Sequence, residues 1–292
     1  MELRVLSWNL FHGRDRAPDP SLHTWRSRLL RRTERGATHA QVNRDLYEQF
    51  SSVLADAEWD IAMLQECPPR WAEALAVDCR AHCHRVLTAR NVPRLGALQG
   101  IVARANPDLI ASWEGGSNVT LARTRDPRHN AIADRRELTL TRSPETRRMA
   151  FSRLTAGICI ANLHASEARA EAEREVLAAA RTAVEWAEGG PLIFGGDLNL
   201  RPASSPQLFD RLATELGLEG TTAEDIVDHI LSRGLGRATT AERWEPARRE
   251  VPDPTAAEQT CGPWAAEPKP ALPIRLSDLA PVELTLELPS DD

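Results

Sequence analysis

The sequence is poor in cysteine, lysine, aromatic residues and long apolar runs. Its five cysteines, Cys67, Cys79, Cys83, Cys159 and Cys261, are odd in number and scattered, which argues against a disulfide framework. No stretch approaches the ~20 consecutive apolar residues of a membrane helix, so no membrane span is expected. The chain opens with Met1-Glu2-Leu3-Arg4-Val5, charged and strand-like. Such an opening lacks the pattern of a secretory leader, and the expected location is cytoplasmic. Of 36 cationic residues only Lys269 is a lysine. A coding bias toward GC-rich codons accounts for that ratio without a phosphate-binding role. A net charge of −6 argues against a globally basic nucleic-acid binder and leaves room for a local patch.

What is present suits a folded enzyme-sized domain. Of 292 residues, 42% are hydrophobic and 27% charged, enough for a core and unlike a disordered chain. No repeat and no interdomain linker stand out, so one domain over residues 1–289 is expected. Seven prolines between 246 and 273 predict an irregular loop there, with Trp264 inside it. The run Asp78-Cys79-Arg80-Ala81-His82-Cys83-His84 lacks a second ligand pair at zinc-finger spacing and reads as a helix end.

Periodicity predicts strands at Leu3–Trp8, Asp60–Gln65, Asn118–Arg123, Arg136–Thr141, Met149–Leu154, Gly157–Leu163, Leu192–Gly195, within Asp225–Leu231, and at Val282–Leu288. Helices are expected at Gln41–Glu58, Pro69–His82, Leu95–Arg104 and Glu167–Glu188. The arginine-rich stretch Trp25–Arg35 reads as a solvated helix in preference to a substrate-facing loop. Strands and helices interleave without a regular βαβ rhythm, so a layered mixed α/β domain is expected.

The predicted strands end in polar residues: Asn9, Glu66, His164 in Asn162-Leu163-His164, and Asp197 in Gly195-Gly196-Asp197-Leu198-Asn199. Asp228 and Asp278 lie at or just before the start of later strands. One such end is an ordinary turn; six in one layered fold can meet on one rim. Amide and carboxylate oxygens are hard ligands that suit Mg²⁺ or Mn²⁺. Glu66 and Asp278 suffice as metal anchors. Asp197 and Asn199 are placed to hold a water, and His164 to donate to a phosphate oxygen. The set favours metal-assisted phosphoester hydrolysis.

Ser-Trp-Asn-Leu, Leu-Gln-Glu, Asn-Leu-His-Ala, Gly-Gly-Asp-Leu-Asn, Asp-His-Ile and Ser-Asp-x-x-Pro-Val occur in this order between Leu3 and Leu288. In this the chain resembles the endonuclease/exonuclease/phosphatase superfamily, which has the deoxyribonuclease I-like fold. The resemblance implies a four-layer α/β/β/α sandwich of two mainly antiparallel mixed sheets, with one Mg²⁺-dependent site at a rim. It implies Asn9, Glu66 and Asp278 as metal-side residues, Asn162 and His164 on the scissile phosphate, and Asp197 with Asn199 on the water. It also implies that Asp228 orients a final histidine.

That histidine is missing. Where the superfamily reads Ser-Asp-His, this chain reads Ser277-Asp278-Leu279. Leucine neither hydrogen-bonds nor moves a proton. A general acid–base group contributes ~10²–10⁴-fold, so hydrolysis is expected to be slowed by that order. His229 neighbours Asp228, but adjacent strand residues face opposite ways, so it is not expected to substitute. His12 is a looser candidate, and Asp197 alone remains a possible base. Asp228, deprived of a cationic neighbour, is expected to have a raised pKa if buried. The alternative is a pseudoenzyme that binds metal and a phosphorylated ligand or protein without significant turnover. The expected substrate is a phosphodiester such as nucleic acid, for which Arg26, Arg28, Arg31, Arg32 and Arg147-Arg148 are the available basic residues. No specific protein partner is indicated.

Overall fold

A computed structural model of the chain describes residues 2–42, 44–88, 115–123, 130–256 and 271–288. The first strand, β1 (Glu2–Asn9), shows how the layers arise. Its alternation puts Leu3 and Val5 on one face and Leu6 and Trp8 on the other, and both faces are buried. β1 pairs in parallel with β4 (Ile61–Cys67) and antiparallel with the last strand, β16 (Val282–Glu287). Outside β4 lie β6 (Gly116–Arg123) and then β5 (Ala81–Thr88), both antiparallel to their neighbours. The short strands β12 (Gly236–Arg237) and β13 (Glu242–Arg243) pair with β16 at the other edge.

The second sheet runs β11 (Asp228–Arg233), β10 (Leu192–Asp197), β9 (Cys159–His164), β8 (Arg147–Leu154) and β7 (Ile132–Thr141). Only the β9–β10 pair is parallel in it. Leu3, Val5, Ile61, Met63, Ile160, Ile193 and Ile230 fill the space between the two sheets. On the outer face of the first sheet, α2 (Tyr47–Asp56) and α3 (Ala72–Asp78) pack Phe50, Leu54 and Leu75 against Leu6 and Trp8. On the outer face of the second, α4 (Arg169–Ala187) and α5 (Pro206–Leu216) do the same. The result is the four-layer α/β/β/α sandwich.

α4 lies close on its sheet because its buried face is mostly alanine: Ala172, Ala179, Ala180, Ala183 and Ala187, with Val176. A buried Glu175 on that face accepts from the Ser166 amide at 2.8 Å and its hydroxyl at 2.9 Å.

Several expected boundaries are corrected. The helix expected at Gln41–Glu58 starts only at Tyr47, because Gln41 belongs to a two-residue ribbon of β2 (Glu34–Arg35) and β3 (Ala40–Gln41). The Gln41 amide there donates to Asp15 at 2.7 Å. The helix expected at Pro69–His82 ends at Asp78 and the chain becomes β5, whose period-2 burial of His84, Val86 and Thr88 was masked by two polar side chains. The expected loop 246–273 is structured at both ends, where β14 (Glu250–Pro252) pairs with β15 (Pro273–Arg275). α5 was not read from the sequence, although Pro206 in its first turn and Gly217 after it are ordinary start and stop signals. The helix expected at Leu95–Arg104, and Cys261, Trp264 and Lys269, lie outside the described residues.

Where β10 passes between its neighbours there is no room for a side chain. A Cβ on Gly196, at φ +118°, would sit 2.1 Å from the Leu163 carbonyl oxygen. Gly196→Ala is therefore expected to lower the unfolding free energy by about 4 kcal/mol or more. Urea unfolding of the variant measures this; a loss under ~1 kcal/mol would contradict the packing.

Candidate active site

Strand direction decides where the polar ends go. β1 and β4 are parallel and adjacent, with Asn9 opposite Gln65, so Asn9 and Glu66 emerge at one edge. β9 and β10 are parallel with His164 opposite Asp197. β11 runs back along β10, which sets its first residue, Asp228, against Asp197. β16 runs antiparallel to β1, so the residues before it fall beside the end of β1, where the Ser277 hydroxyl donates to the Asn9 carbonyl at 2.6 Å. The two sheets are then joined at the rim. Asn9 Nδ2 donates to Asp197 Oδ2 at 2.9 Å, and Gln65 Nε2 donates to Asn162 Oδ1 at 2.8 Å.

Asp197 and Asp228 are buried, Glu66 is half-buried and Asp278 is exposed at the mouth. Asp197 also accepts from the Asn199 amide at 3.0 Å, and Asn199 Nδ2 donates to the Ala165 carbonyl at 2.9 Å. Burial raises the Asp197 pKa against these two hydrogen bonds. Burial also raises that of Asp228, well above the usual carboxylate range, and the charges of Asp197 and Asp278 add to it. Asp228 Oδ1 has no hydrogen-bond partner. Asp278 is raised by the protein packed behind it and by Glu66. Backbone strain accompanies the cluster, since Glu66, Asn199 and Ser277 all have φ between 47° and 60°.

His164 Nε2 lies 3.8 Å from Glu66 and 3.7 Å from Asp197. Behind it, the buried Arg147 donates to Nδ1 at 3.2 Å. Arginine has no acceptor, so this contact makes Nδ1 the acceptor and leaves the ring proton on Nε2, facing the carboxylates. Burial depresses the imidazole to about 4, against the pull of Glu66. The ring is thus a neutral, oriented hydrogen-bond donor at neutral pH.

No family model and no curated protein matches the chain. Solved structures do match. An endonuclease/exonuclease/phosphatase family protein from Bacteroides thetaiotaomicron aligns with a TM-score of 0.60 at 14% identity, over 100% of this chain and 97% of that one. A mannosyl-6-phosphatase from the same organism aligns at 0.59 and 14%, over 97% and 99%. A truncated TDP2 from Caenorhabditis elegans aligns at 0.53 and 14%, over 98% of each chain. The chain has the endonuclease/exonuclease/phosphatase fold.

Within that fold, the rim gathers Asn9, Glu66, His164, Asp197, Asn199, Asp228 and Asp278. Asn162 is the exception. It is completely buried, its Nδ2 donates to the Leu64 and Val119 carbonyls at 3.2 and 3.0 Å, and its Oδ1 takes the Gln65 amide. It ties the sheets together and presents no group to a phosphate. His229 points away as expected: it accepts from the Thr222 amide at 3.2 Å, meets the Leu200 carbonyl at 3.0 Å and packs edge-on against Phe209. His12 does reach the rim, with Nε2 3.3 Å from Glu66 Oε2. Arg147 and Arg148 part company, for Arg148 turns to Glu137 at 3.6 Å. Alternation along β8 separates them, but nothing in the sequence says that Arg147 faces His164.

Leu279 follows the Ser277-Asp278 pair at the rim and is held there by its backbone. Its amide donates to the Ser277 hydroxyl at 3.2 Å, and its carbonyl accepts from Trp8 Nε1 at 3.2 Å. The backbone is therefore fixed independently of the side chain. Asp78 to His84 spans the end of α3 and the start of β5, and among the described residues no group of three or more His, Cys, Asp or Glu is arranged to hold a metal ion.

Proposed function

We propose that the protein hydrolyses a phosphoester, a phosphodiester such as nucleic acid in the first place, with Mg²⁺ or Mn²⁺, and that it does so slowly. The reading is carried by one observation: Glu66, Asp197 and Asp228 share a rim with an oriented imidazole donor, His164 Nε2 lying 3.8 Å from Glu66 and 3.7 Å from Asp197. Hard oxygen donors gathered at one rim fit a divalent cation. Glu66 and Asp278 would hold it, with Asn9 beside them. When bound, it supplies charge neutralisation on the phosphate. Asp197, fixed by Asn9 and Asn199, orients a water and takes its proton as the water oxygen attacks phosphorus. The His164 Nε2–H donates to a phosphate oxygen. The bond from phosphorus to the leaving oxygen then breaks, and that oxygen takes its proton from solvent, because Leu279 has none to give. One structural neighbour is a mannosyl-6-phosphatase, which agrees with phosphoester chemistry on this fold.

The test is cleavage of plasmid DNA and of a bis-aryl phosphate by the native chain with Mg²⁺ or Mn²⁺, and with EDTA. EDTA-sensitive cleavage is expected. Glu66→Gln is expected to weaken Mn²⁺ binding, read by calorimetry, at least tenfold. Metal-independent cleavage would sink the proposal. Unaltered metal binding in Glu66→Gln would remove Glu66 from it. The buried Asp228 Oδ1, which has no hydrogen-bond partner, favours one second reading, a protein that binds a phosphorylated ligand without turning it over. A silent native chain that still binds Mn²⁺ would support it.

A further inference from the structure

The helix α1 (Trp25–Leu30) is turned inside out. Its protein-facing side is Ser27, buried and bonded to the Thr24 carbonyl at 2.9 Å, while the Thr24 hydroxyl caps the Ser27 amide at 3.1 Å. At 100° per residue, Trp25 and Leu29 lie roughly opposite Ser27. Trp25 is 66% exposed, Leu29 53% and Leu30 57%. These are three of the five large apolar side chains left exposed among the described residues. A surface helix ordinarily does the reverse, burying its apolar stripe.

Arginines surround this apolar face. Arg26 has its guanidinium 5.7 Å from the Trp25 ring, Arg28 is half-buried alongside, and Arg31 and Arg32 follow, both exposed. The segment that carries α1 is tied to the rest of the molecule on both sides. Asp15 bridges to Leu276, the Ser277 amide donates to the Arg14 carbonyl at 2.9 Å, and Arg35 pairs with Asp253 at 2.6 Å.

We propose that α1 docks the protein on an anionic phospholipid surface, with Trp25, Leu29 and Leu30 entering the headgroup boundary and the flanking arginines on lipid phosphates. Charge complementarity selects this occupant. The chain as a whole carries −6 and is repelled by an anionic bilayer, whereas this corner carries exposed apolar side chains among arginines and is attracted to one. Single-stranded nucleic acid is the lesser fit, because a tryptophan can stack on a base but Leu29 and Leu30 offer a base or a phosphate nothing. Binding by so short an apolar face is weak and reversible and needs both terms, apolar insertion and charge. The proposal stands independently of the hydrolytic reading.

The experiment is cosedimentation of the full chain with vesicles of phosphatidylcholine alone and of phosphatidylcholine with 30% phosphatidylglycerol. The variants are Trp25→Ser/Leu29→Ser/Leu30→Ser and Arg26→Gln/Arg31→Gln/Arg32→Gln. Because the replaced side chains are exposed, both variants are expected to melt with the native chain, which circular dichroism checks. The native chain is expected on the anionic vesicles only. The serine variant should bind at least tenfold more weakly, and the glutamine variant about fivefold more weakly per arginine lost. No binding by the native chain, equal binding to neutral vesicles, or unchanged binding by the serine variant would each overturn the proposal. So would binding of a single-stranded oligonucleotide through these residues without vesicle binding, which would mark a nucleic-acid surface instead.

Discussion

Leu279→His is expected to raise the turnover of plasmid DNA by about 100- to 10,000-fold. The position is prepared for the change. Its amide and carbonyl are held by Ser277 and Trp8 whatever the side chain. Asp228 is buried with its Oδ1 free of any hydrogen-bond partner, and the charge of Arg243 offsets its raised pKa only in part. The gain should depend on the leaving group. DNA expels an alkoxide, which needs a proton, whereas a bis-aryl phosphate expels a phenolate, which scarcely does. If the missing group is an acid, the variant gains far more on DNA than on the aryl ester. Equal gains on both would mean that the imidazole acts by contacting the phosphate. No gain on either, from a variant that folds and binds Mn²⁺, would mean that Asp197 already suffices or that the substrate class is wrong.

Acid unfolding is the second large effect. His84 and His229 are buried and neutral, each depressed by burial to about 4. An unfolded histidine titrates near ~6.5. Between those values the unfolded chain binds one more proton per histidine, so each one's contribution is complete above pH ~6.5 and is lost as pH falls toward 4. The loss is roughly 1.4 kcal/mol per pH unit, or about 3 kcal/mol for each residue, against a typical total of ~5–15. Asp197 and Asp228, whose pKa values are raised, work in the opposite sense. The useful quantity is therefore the difference between the native chain and His84→Met. His84 is a good choice because it lies away from the candidate site, bonded at 2.9 Å to Ser152 between the sheets. Urea unfolding at pH 7 and pH 4.5 should show a native chain that loses about 2.5 kcal/mol more than the variant. Parallel losses would mean that His84 is already protonated in the folded state or solvated.

The ordered motifs carried a good deal by themselves. Alternation in β1 and β16, the short apolar runs of β4, β9 and β10, and the alanine-rich period of α4 were all legible, because burial on two faces or one leaves a pattern in a single segment. The sequence also marks Asn9, Glu66, His164, Asp197, Asn199, Asp228 and Asp278 as candidates, because each lies at or near the end of such a run. Where polar residues occupied strand positions, as in β5, the pattern failed, since His84 and Thr88 are buried although polar, His84 by bonding Ser152 of the other sheet.

The tertiary structure decided what depends on two segments distant in sequence. Asn162 looked like a phosphate ligand and proved to be a bond between sheets, because its partners, Gln65, Leu64 and Val119, come from other strands. Arg147 fixes the His164 proton through a contact that no spacing predicts. The outward face of α1 was likewise hidden: its sequence fits a solvated helix, and only the burial of Ser27 shows which way the tryptophan and leucines turn. A single strand or helix records the face it buries through the period of its own side chains. It does not record what another segment brings to that face, so the partners and the orientation of the site waited for the sheets to stack.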